Sequence, residues 1–198
     1  MSAPEALQPL DALIASHTVD IPDFPVPGVV FRDLTPVFAD GPAFRRMVEG
    51  LAAPQLADPR AAAVAHTDDG GPPDPGFDVV VGVEARGFLL AAAVALYAGV
   101  GVVPVRKAGK LPRERVSAVY ALEYGTATIE MHTDSLRPGQ RVLLVDDVLA
   151  TGGTLGAALA LVEELGAVVT AVSVVIELAE LGGRQRIAPH AVHALWTT

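Results

Sequence analysis

The stretch "VLLVDDVLATGGTL", Val142–Leu155, decides the reading of this chain. Val142–Asp146 is an apolar run ending in acid, the pattern of a strand buried on both faces. Gly153–Leu165 has helical spacing and is closed by Gly166. Between them stand two adjacent carboxylates, Asp146 and Asp147, and the loop Ala150-Thr151-Gly152-Gly153-Thr154. In an open α/β sheet, ligands bind beyond the carboxyl ends of the strands, where this loop falls. Two glycines let main-chain N–H groups turn inward, two threonines add hydroxyl donors, and the helix N-terminus favours negative charge. This is the physics of a phosphate cradle. No lysine follows the glycines, so it is not a Walker loop. Carboxylates repel phosphate, so Asp146 and Asp147 make sense facing sugar hydroxyls or a Mg²⁺ held through water. The plainer alternative is a tight turn in which Thr151 or Thr154 caps the helix, one aspartate caps as well and the other is solvated.

Working outward, Phe77–Val83 is a second continuous apolar run, followed by a helix from about Arg86 and a strand over Val102–Arg106. Ala167–Leu178 is a further β-rich run. Continuous apolar strands alternating with helices indicate an α/β fold with a mostly parallel central sheet flanked by helices. Residues 118–131, "AVYALEYGTATIEM", alternate around a glycine, as in a hairpin or hood beside that sheet. Near the N-terminus, Leu10–Ser16 reads as a short amphipathic helix and Ile21–Gly28 as irregular extended chain. Asp40 reads as an N-cap with Pro42 in the first turn, and Phe44, Met47, Val48 and Leu51 follow at helical spacing. Residues 58–76 include "TDDGGPPDPG", a composition that holds neither helix nor strand, and a mobile surface loop is expected there.

The bulk properties bound the function. A length of 198 residues suits one domain spanning 1–198. The net charge of −9 argues against nucleic acid as a partner, which would need a basic face. With no cysteine, thiolate metal sites and cysteine nucleophiles are excluded. Phe88–Val105 runs eighteen residues without a charge, but Gly99, Gly101 and Pro104 break it into a buried helix and a strand. No membrane association and a cytoplasmic location are expected. His190 and His193 have no third ligand near in sequence, and Met47 and Trp196 read as packing.

At "VDDVLATGGT" the chain resembles the phosphoribosyl-diphosphate (PRPP) signature of the type I phosphoribosyltransferases, in which such a loop holds a 5′-phosphate. Four stretches narrow the resemblance to the adenine-specific family. They are "FPVPGVVFRDLTPVF" (Phe24–Phe38), "VGVEARGFLL" (Val81–Leu90), "VPVRKAGKLP" (Val103–Pro112) and Tyr120–Leu155, which opens with "YALEYG". The resemblance implies the type I phosphoribosyltransferase fold with a small hood from about 21–38 and the C-terminal region, and a mobile lid over 107–117. It implies the reaction adenine + PRPP → AMP + diphosphate with Mg²⁺, mainly through PRPP, in a homodimer.

The family pattern also implies roles. Ala150, Thr151, Gly152, Gly153 and Thr154 would hold the phosphate, and Asp146 and Asp147 the ribose or its Mg²⁺. Arg86, Arg106, Lys107 and Lys110 would meet the diphosphate, the last three by reaching the neighbouring subunit's site. A cis peptide would fall at Glu84–Ala85. Val30, Phe31 and Arg32 would bind adenine, the ring by stacking and the main chain by pairing with N1 and the N6 amine. Ile176 and Leu178 are candidates for the base's other face. Glu123 would do the proton work, flanked in the hood by Tyr120 and Tyr124. Plainer readings stand beside these: Phe31 in the core, Arg32 paired with Asp33, Arg86 in a surface salt bridge, Lys110 solvated and Glu123 on an exposed strand. Two other functions fit the loop: a phosphoribosyltransferase for hypoxanthine, guanine or xanthine, and a PRPP-sensing regulator. Val30–Arg32 argues against the first, and the acidic chain with only about two dozen residues before Phe24 against the second.

Overall fold

A computed structural model describes residues 8–56, 74–121 and 125–198. The chain opens with α1 (Leu10–His17), the hairpin strands β1 (Val19–Pro22) and β2 (Val30–Asp33), and helices α2 (Thr35–Ala39) and α3 (Gly41–Leu56). β3 (Val79–Val83), α4 (Arg86–Ala98) and β4 (Gly101–Lys107) follow, then the hairpin β5 (Arg115–Ala121) and β6 (Thr126–His132). β7 (Arg141–Leu149), α5 (Gly153–Glu164) and β8 (Val168–Glu177) form the next crossover. A 3-10 turn (Ala179–Leu181), the short helix α6 (Gly183–Arg186) and β9 (Val192–Thr197) complete the order.

Among the described residues the main sheet runs β5-β6-β4-β3-β7-β8-β9. β4, β3, β7, β8 and β9 are parallel, and the β5–β6 hairpin joins antiparallel to β4. The hairpin expected at 118–131 therefore extends the main sheet instead of standing beside it. Alternation along the strands explains the two cores. Leu143 and Val145 pack with Leu13, Met47, Leu51 and Leu90 of α1, α3 and α4. Val142 and Leu144 pack with Leu155, Leu159 and Val162 of α5 on the opposite face. Such two-sided burial is why β3 is apolar at every position.

Capping follows the sequence. Asp40 Oδ1 accepts from Ala43 N at 2.8 Å, the N-cap expected for α3, and Met47, Val48 and Leu51 are buried beneath it. Most of the expected loop, 58–73, lies outside the described residues. Its far end is fixed: Arg141 donates to Asp74 at 2.9 and 3.0 Å and to Asp78 at 2.7 and 3.1 Å. Those bonds hold both carboxyls below the usual aspartate range. Ile21–Gly28 is irregular as expected beyond Pro22, where β1 ends; Ile21 and Pro22 alone pair with β2, opposite Phe31 and Val30. No described helix is long and apolar enough to cross a membrane.

One consequence of this topology positions the site. From β3 the chain crosses through α4 to one side, and from β7 it crosses through α5 to the other. The strand order reverses between β3 and β7, which opens a crevice at their carboxyl ends.

Candidate active site

The crevice is lined by two turns. Beyond β3 lies Glu84-Ala85-Arg86, with a cis peptide at Glu84–Ala85 as expected. Beyond β7 lies the loop that leads into α5. β7 is longer than Val142–Asp146; pairing with β8 continues to Leu149↔Glu177, so both aspartates are strand residues.

Gly152 is the N-cap of α5 and has φ 76°, a conformation that strains any residue with a Cβ. It has no side chain to occupy the helix end. The first main-chain bond of the helix runs from Gly156 N to Gly152 O at 2.9 Å, so the N–H groups of Gly153, Thr154 and Leu155 precede the helical ladder. A cavity of about 70 Å³ is lined by Val148–Leu155. A Cβ at Gly153 would lie 3.1 Å from Ala121 O and 3.4 Å from Tyr120. The β5–β6 hairpin thus closes over the loop, and Tyr120 is part of that cover. Glu123 and Tyr124 lie outside the described residues.

Asp146 and Asp147 are 7% and 8% exposed. Asp146 Oδ1 accepts from Asp147 N at 2.9 Å, and a Cβ at Gly87 would stand 2.8 Å from the same oxygen. Burial, and next the charge of Asp147, push the Asp146 carboxyl well above the ordinary aspartate value. Asp147 Oδ2, itself buried, forms an ion pair with Arg86 Nη2. A carboxylate paired with one guanidinium keeps further lone pairs for a donor from outside.

Arg86 connects both halves of the site. Besides Asp147, it donates to Arg32 O at 3.3 Å, and its guanidinium sits 4.8 Å over the Phe31 ring. The salt-bridge alternative for Arg86 is therefore real, but its partner is a site carboxylate. Glu84, which sequence reasoning noted only for its peptide bond, accepts from Lys107 N at 2.9 Å and faces Arg106 Nε at 3.7 Å. It brings the end of β4 against the turn after β3. Lys107 and Lys110 are exposed, and Arg106 donates to Lys110 O at 3.3 Å. Arg115–Ser117, the far end of the expected lid, is paired in β5, which leaves 108–114 as the connection between strands.

A second cavity, of about 300 Å³, is lined by Gly28, Val29, Val30, Arg32, Leu178, Glu180, Leu181 and Thr198. That size suits a small ligand. Arg32 does not pair with Asp33. Its Nη1 donates to Asp20 at 2.8 and 2.9 Å, and its guanidinium stands 5.4 Å from the Trp196 ring, whereas Asp33 accepts from Thr35. The register of β1 on β2 makes Asp20 the residue opposite Arg32. Phe31 is half-buried and meets Phe24 edge-on at 5.2 Å. Of the two candidates for the base's other face, Leu178 lines the cavity. Ile176 is fully buried in the core and does not.

The structure also brings in residues that sequence reasoning missed. Gly183 packs behind the anion loop, and Arg184 clamps Glu177 through Nε at 2.8 Å and through Nη2. The pair of glycines before a basic residue was the only signal of this in the sequence. His193 lies in β9 and His190 faces Glu163 at 3.3 Å. No group of three potential metal ligands occurs among the described residues.

Comparison with known proteins agrees with this geometry. A family model for the phosphoribosyl transferase domain matches residues 57–191. The adenine phosphoribosyltransferase of Salinispora arenicola is 56% identical over 93% of this chain and 89% of its own length. That of Clavibacter michiganensis is 54% identical over 96% and 97%. The crystal structure of the Rhodothermus marinus adenine phosphoribosyltransferase superposes with a TM-score of 0.83 at 39% identity, covering 96% of this chain and 98% of that one. The Saccharomyces cerevisiae enzyme, solved with adenine and an imino-altritol bisphosphate, gives 0.80 at 35% identity, covering 94% and 98%. With the family model matching more than half of the chain and relatives above 50% identity over nearly its whole length, the chain belongs to the adenine phosphoribosyltransferase family.

Proposed function

We propose that the chain transfers the phosphoribosyl group of PRPP to adenine, giving AMP and diphosphate in purine salvage, with the two cavities as its phosphate and base subsites. The supporting observation is the bridge that Arg86 makes: it pairs with Asp147, just before the anion loop, donates to Arg32 O and lies over the Phe31 ring.

In this reading the 5′-phosphate sits among the N–H groups and hydroxyls of Ala150–Thr154. Asp147, buried and paired through Oδ2 with Arg86, takes a ribose hydroxyl or a metal-bound water on its remaining lone pairs. The donor set fits Mg²⁺ brought in on the diphosphate. Two buried carboxylates stand together and no protein cage of three ligands occurs among the described residues, and Mg²⁺ commonly binds through one or two carboxylates plus phosphates and waters. When bound, it supplies positive charge to the leaving diphosphate. Arg86 can exchange its carboxylate for that diphosphate, and Arg106, Lys107 and Lys110, at and beyond the end of β4, reach the neighbouring subunit's site in the dimer.

The base lies between Leu178 and Phe31, at the margin of the larger cavity, whose lining includes Leu178 but not Phe31. Val30 and Arg32 offer main-chain groups to N1 and the N6 amine. Arg32 O already accepts from Arg86, but a carbonyl has a second lone pair for the amine. The C1′–oxygen bond to diphosphate breaks, the N9–C1′ bond forms, and the N9 proton leaves. Glu123 holds or moves the proton near N7. Its neighbours in sequence, Ala121 and Thr126, pair at the hairpin end beside Gly153, and Tyr120 excludes water there. Stabilisation of separated charge by fixed groups carries the rest.

A homodimer in the cytoplasm, with one domain per chain, a hood from about 21–38 and the C-terminal region, and 108–114, the part of 107–117 outside the strands, as a lid, completes the reading. Apolar exposure on α4 and β4 supports the dimer: Leu89, Leu96, Tyr97 and Val102 are exposed, Leu96 by 85%, and β4 also carries Arg106 and Lys107. The test is a product assay with PRPP, Mg²⁺ and each purine in turn. AMP from adenine, with little product from hypoxanthine, guanine or xanthine, is expected. Efficient turnover of another purine would refute the base assignment.

A further inference from the structure

The base cavity and the anion loop have a common support. Leu178, Glu180 and Leu181 line the cavity, and Gly183 follows directly. A Cβ at Gly183 would collide with Ala150 O and lie 3.0 Å from Gly152 N, so only glycine lets the two main chains approach. From the other side, a Cβ at Gly152 would lie 2.8 Å from Gly183 O and 3.3 Å from the Ile187 methyl. Leu178 N donates to Leu149 O at 2.9 Å, which ties the cavity wall to the residue just before the loop.

The side-chain anchor of this segment is Arg184. Arg184 donates through Nε to Glu177 Oε1 at 2.8 Å, through Nη2 to Oε2, and through Nη1 to Val192 O at 2.8 Å. Glu177 is 5% exposed, and Arg184 holds its carboxyl below the usual range. A fork of this geometry is something a lysine cannot reproduce. The clamp thus pins the end of β8 to the first turn of α6 and to β9, with the 3-10 turn spanning between the two subsites.

We infer that Leu178–Ile187 is a single positioning element that seats the base cavity and the phosphate loop together, with Arg184 as its anchor and Gly183 as the surface on which the loop rests. The inference rests on the assignment of Ala150–Thr154 to phosphate. Neither Arg184 nor Gly183 needs to touch substrate; each acts through the groups it holds. Base and phosphoribosyl affinity should therefore change together when the element moves, although the two ligands occupy different cavities.

The experiment compares R184K, G183A and T154A by steady-state kinetics, calorimetric titration with AMP, and thermal melting. T154A should weaken AMP binding and raise KM for PRPP, leaving KM for adenine unchanged. R184K, whose side chain is 45% exposed and keeps its charge, should raise both KM values by about threefold or more, with kcat less affected. G183A should weaken AMP on the order of tenfold or more, since displacements near 1 Å are felt strongly at such sites. A merely structural clamp would lower the melting temperature and the active fraction with both KM values unmoved, and that result overturns the inference. So does a rise in only one KM in R184K. If G183A fails to fold, R184K alone decides. If T154A leaves AMP affinity unchanged, the phosphate assignment fails and the inference falls with it. If T154A weakens AMP but R184K and G183A do not, only the inference fails.

Discussion

The anion loop and the base cavity share a support but are built on different principles. The loop comes from one continuous stretch, and its donors are main-chain N–H groups at a helix start. Its tolerances are steric: Gly152 leaves no room for a Cβ beside Gly183 O, and a Cβ at Gly153 would be tight against Ala121 O at 3.1 Å. The base cavity is assembled from segments about 150 residues apart, 28–32 and 178–198. Its edges are held by side-chain pairs, Arg32 with Asp20 and Arg184 with Glu177. A phosphate needs only convergent donors, which one turn can supply. A planar base needs two faces and an edge, which no single turn supplies. Between the two regions, Arg86 touches the carboxylate of one and the ring of the other.

Substitutions can separate the regions. The largest effect is expected where they meet in the reaction. Glu123→Gln should lower kcat by about a hundredfold or more, as loss of a general acid does, with both KM values nearly unchanged. Comparable losses in PRPP affinity would assign Glu123 to binding. Next, Asp147→Asn should weaken PRPP on the order of tenfold by calorimetry, since it removes a charged acceptor, with a smaller change for adenine. Unchanged affinity would remove Asp147 from the ribose side. A smaller effect is expected from Asp20→Asn, which loosens Arg32 at the cavity edge. KM for adenine should rise about threefold, the scale of a partly exposed ion pair, while KM for PRPP holds. If both rise equally, the two regions are not separable at β2.

The smallest effect concerns acid stability. Asp74, Asp78 and Glu177 each have a carboxyl held below its ordinary value by an arginine. A depressed folded value means that these bonds stabilise the protein at neutral pH and lose that contribution as pH falls through and below about 4. Thermal melts should fall on that acid limb. Glu177→Gln should melt lower at pH 7 and show a shallower fall towards pH 3; an unchanged slope would show that Glu177 contributes no acid sensitivity.

How much could be read from the chain follows the same division. The β7–α5 stretch carried its meaning locally, because strand, carboxylates, glycines and helix start are contiguous. The parallel sheet was legible from apolar runs, and the Asp40 cap from its position before Pro42. What escaped depends on contacts distant in sequence. Asp20 finds Arg32 only through the register of β1 on β2, and Asp33, the nearer carboxylate, is taken by Thr35. Ile176 and Leu178 are both apolar, but only the fold shows that the first is core and the second lines the cavity. The attachment of the β5–β6 hairpin to β4 rests on two main-chain pairs, Arg106↔Glu130 and Lys107↔Ile129, that no local pattern announces.

A crystal structure of the protein with AMP tests the central claim most directly. The nucleotide's phosphate should lie within hydrogen-bond reach of the Gly153 and Thr154 N–H groups, its ribose against Asp147, and its base between Phe31 and Leu178. AMP bound with its phosphate away from residues 150–154, or its base outside the Val30–Leu178 cavity, would contradict the account.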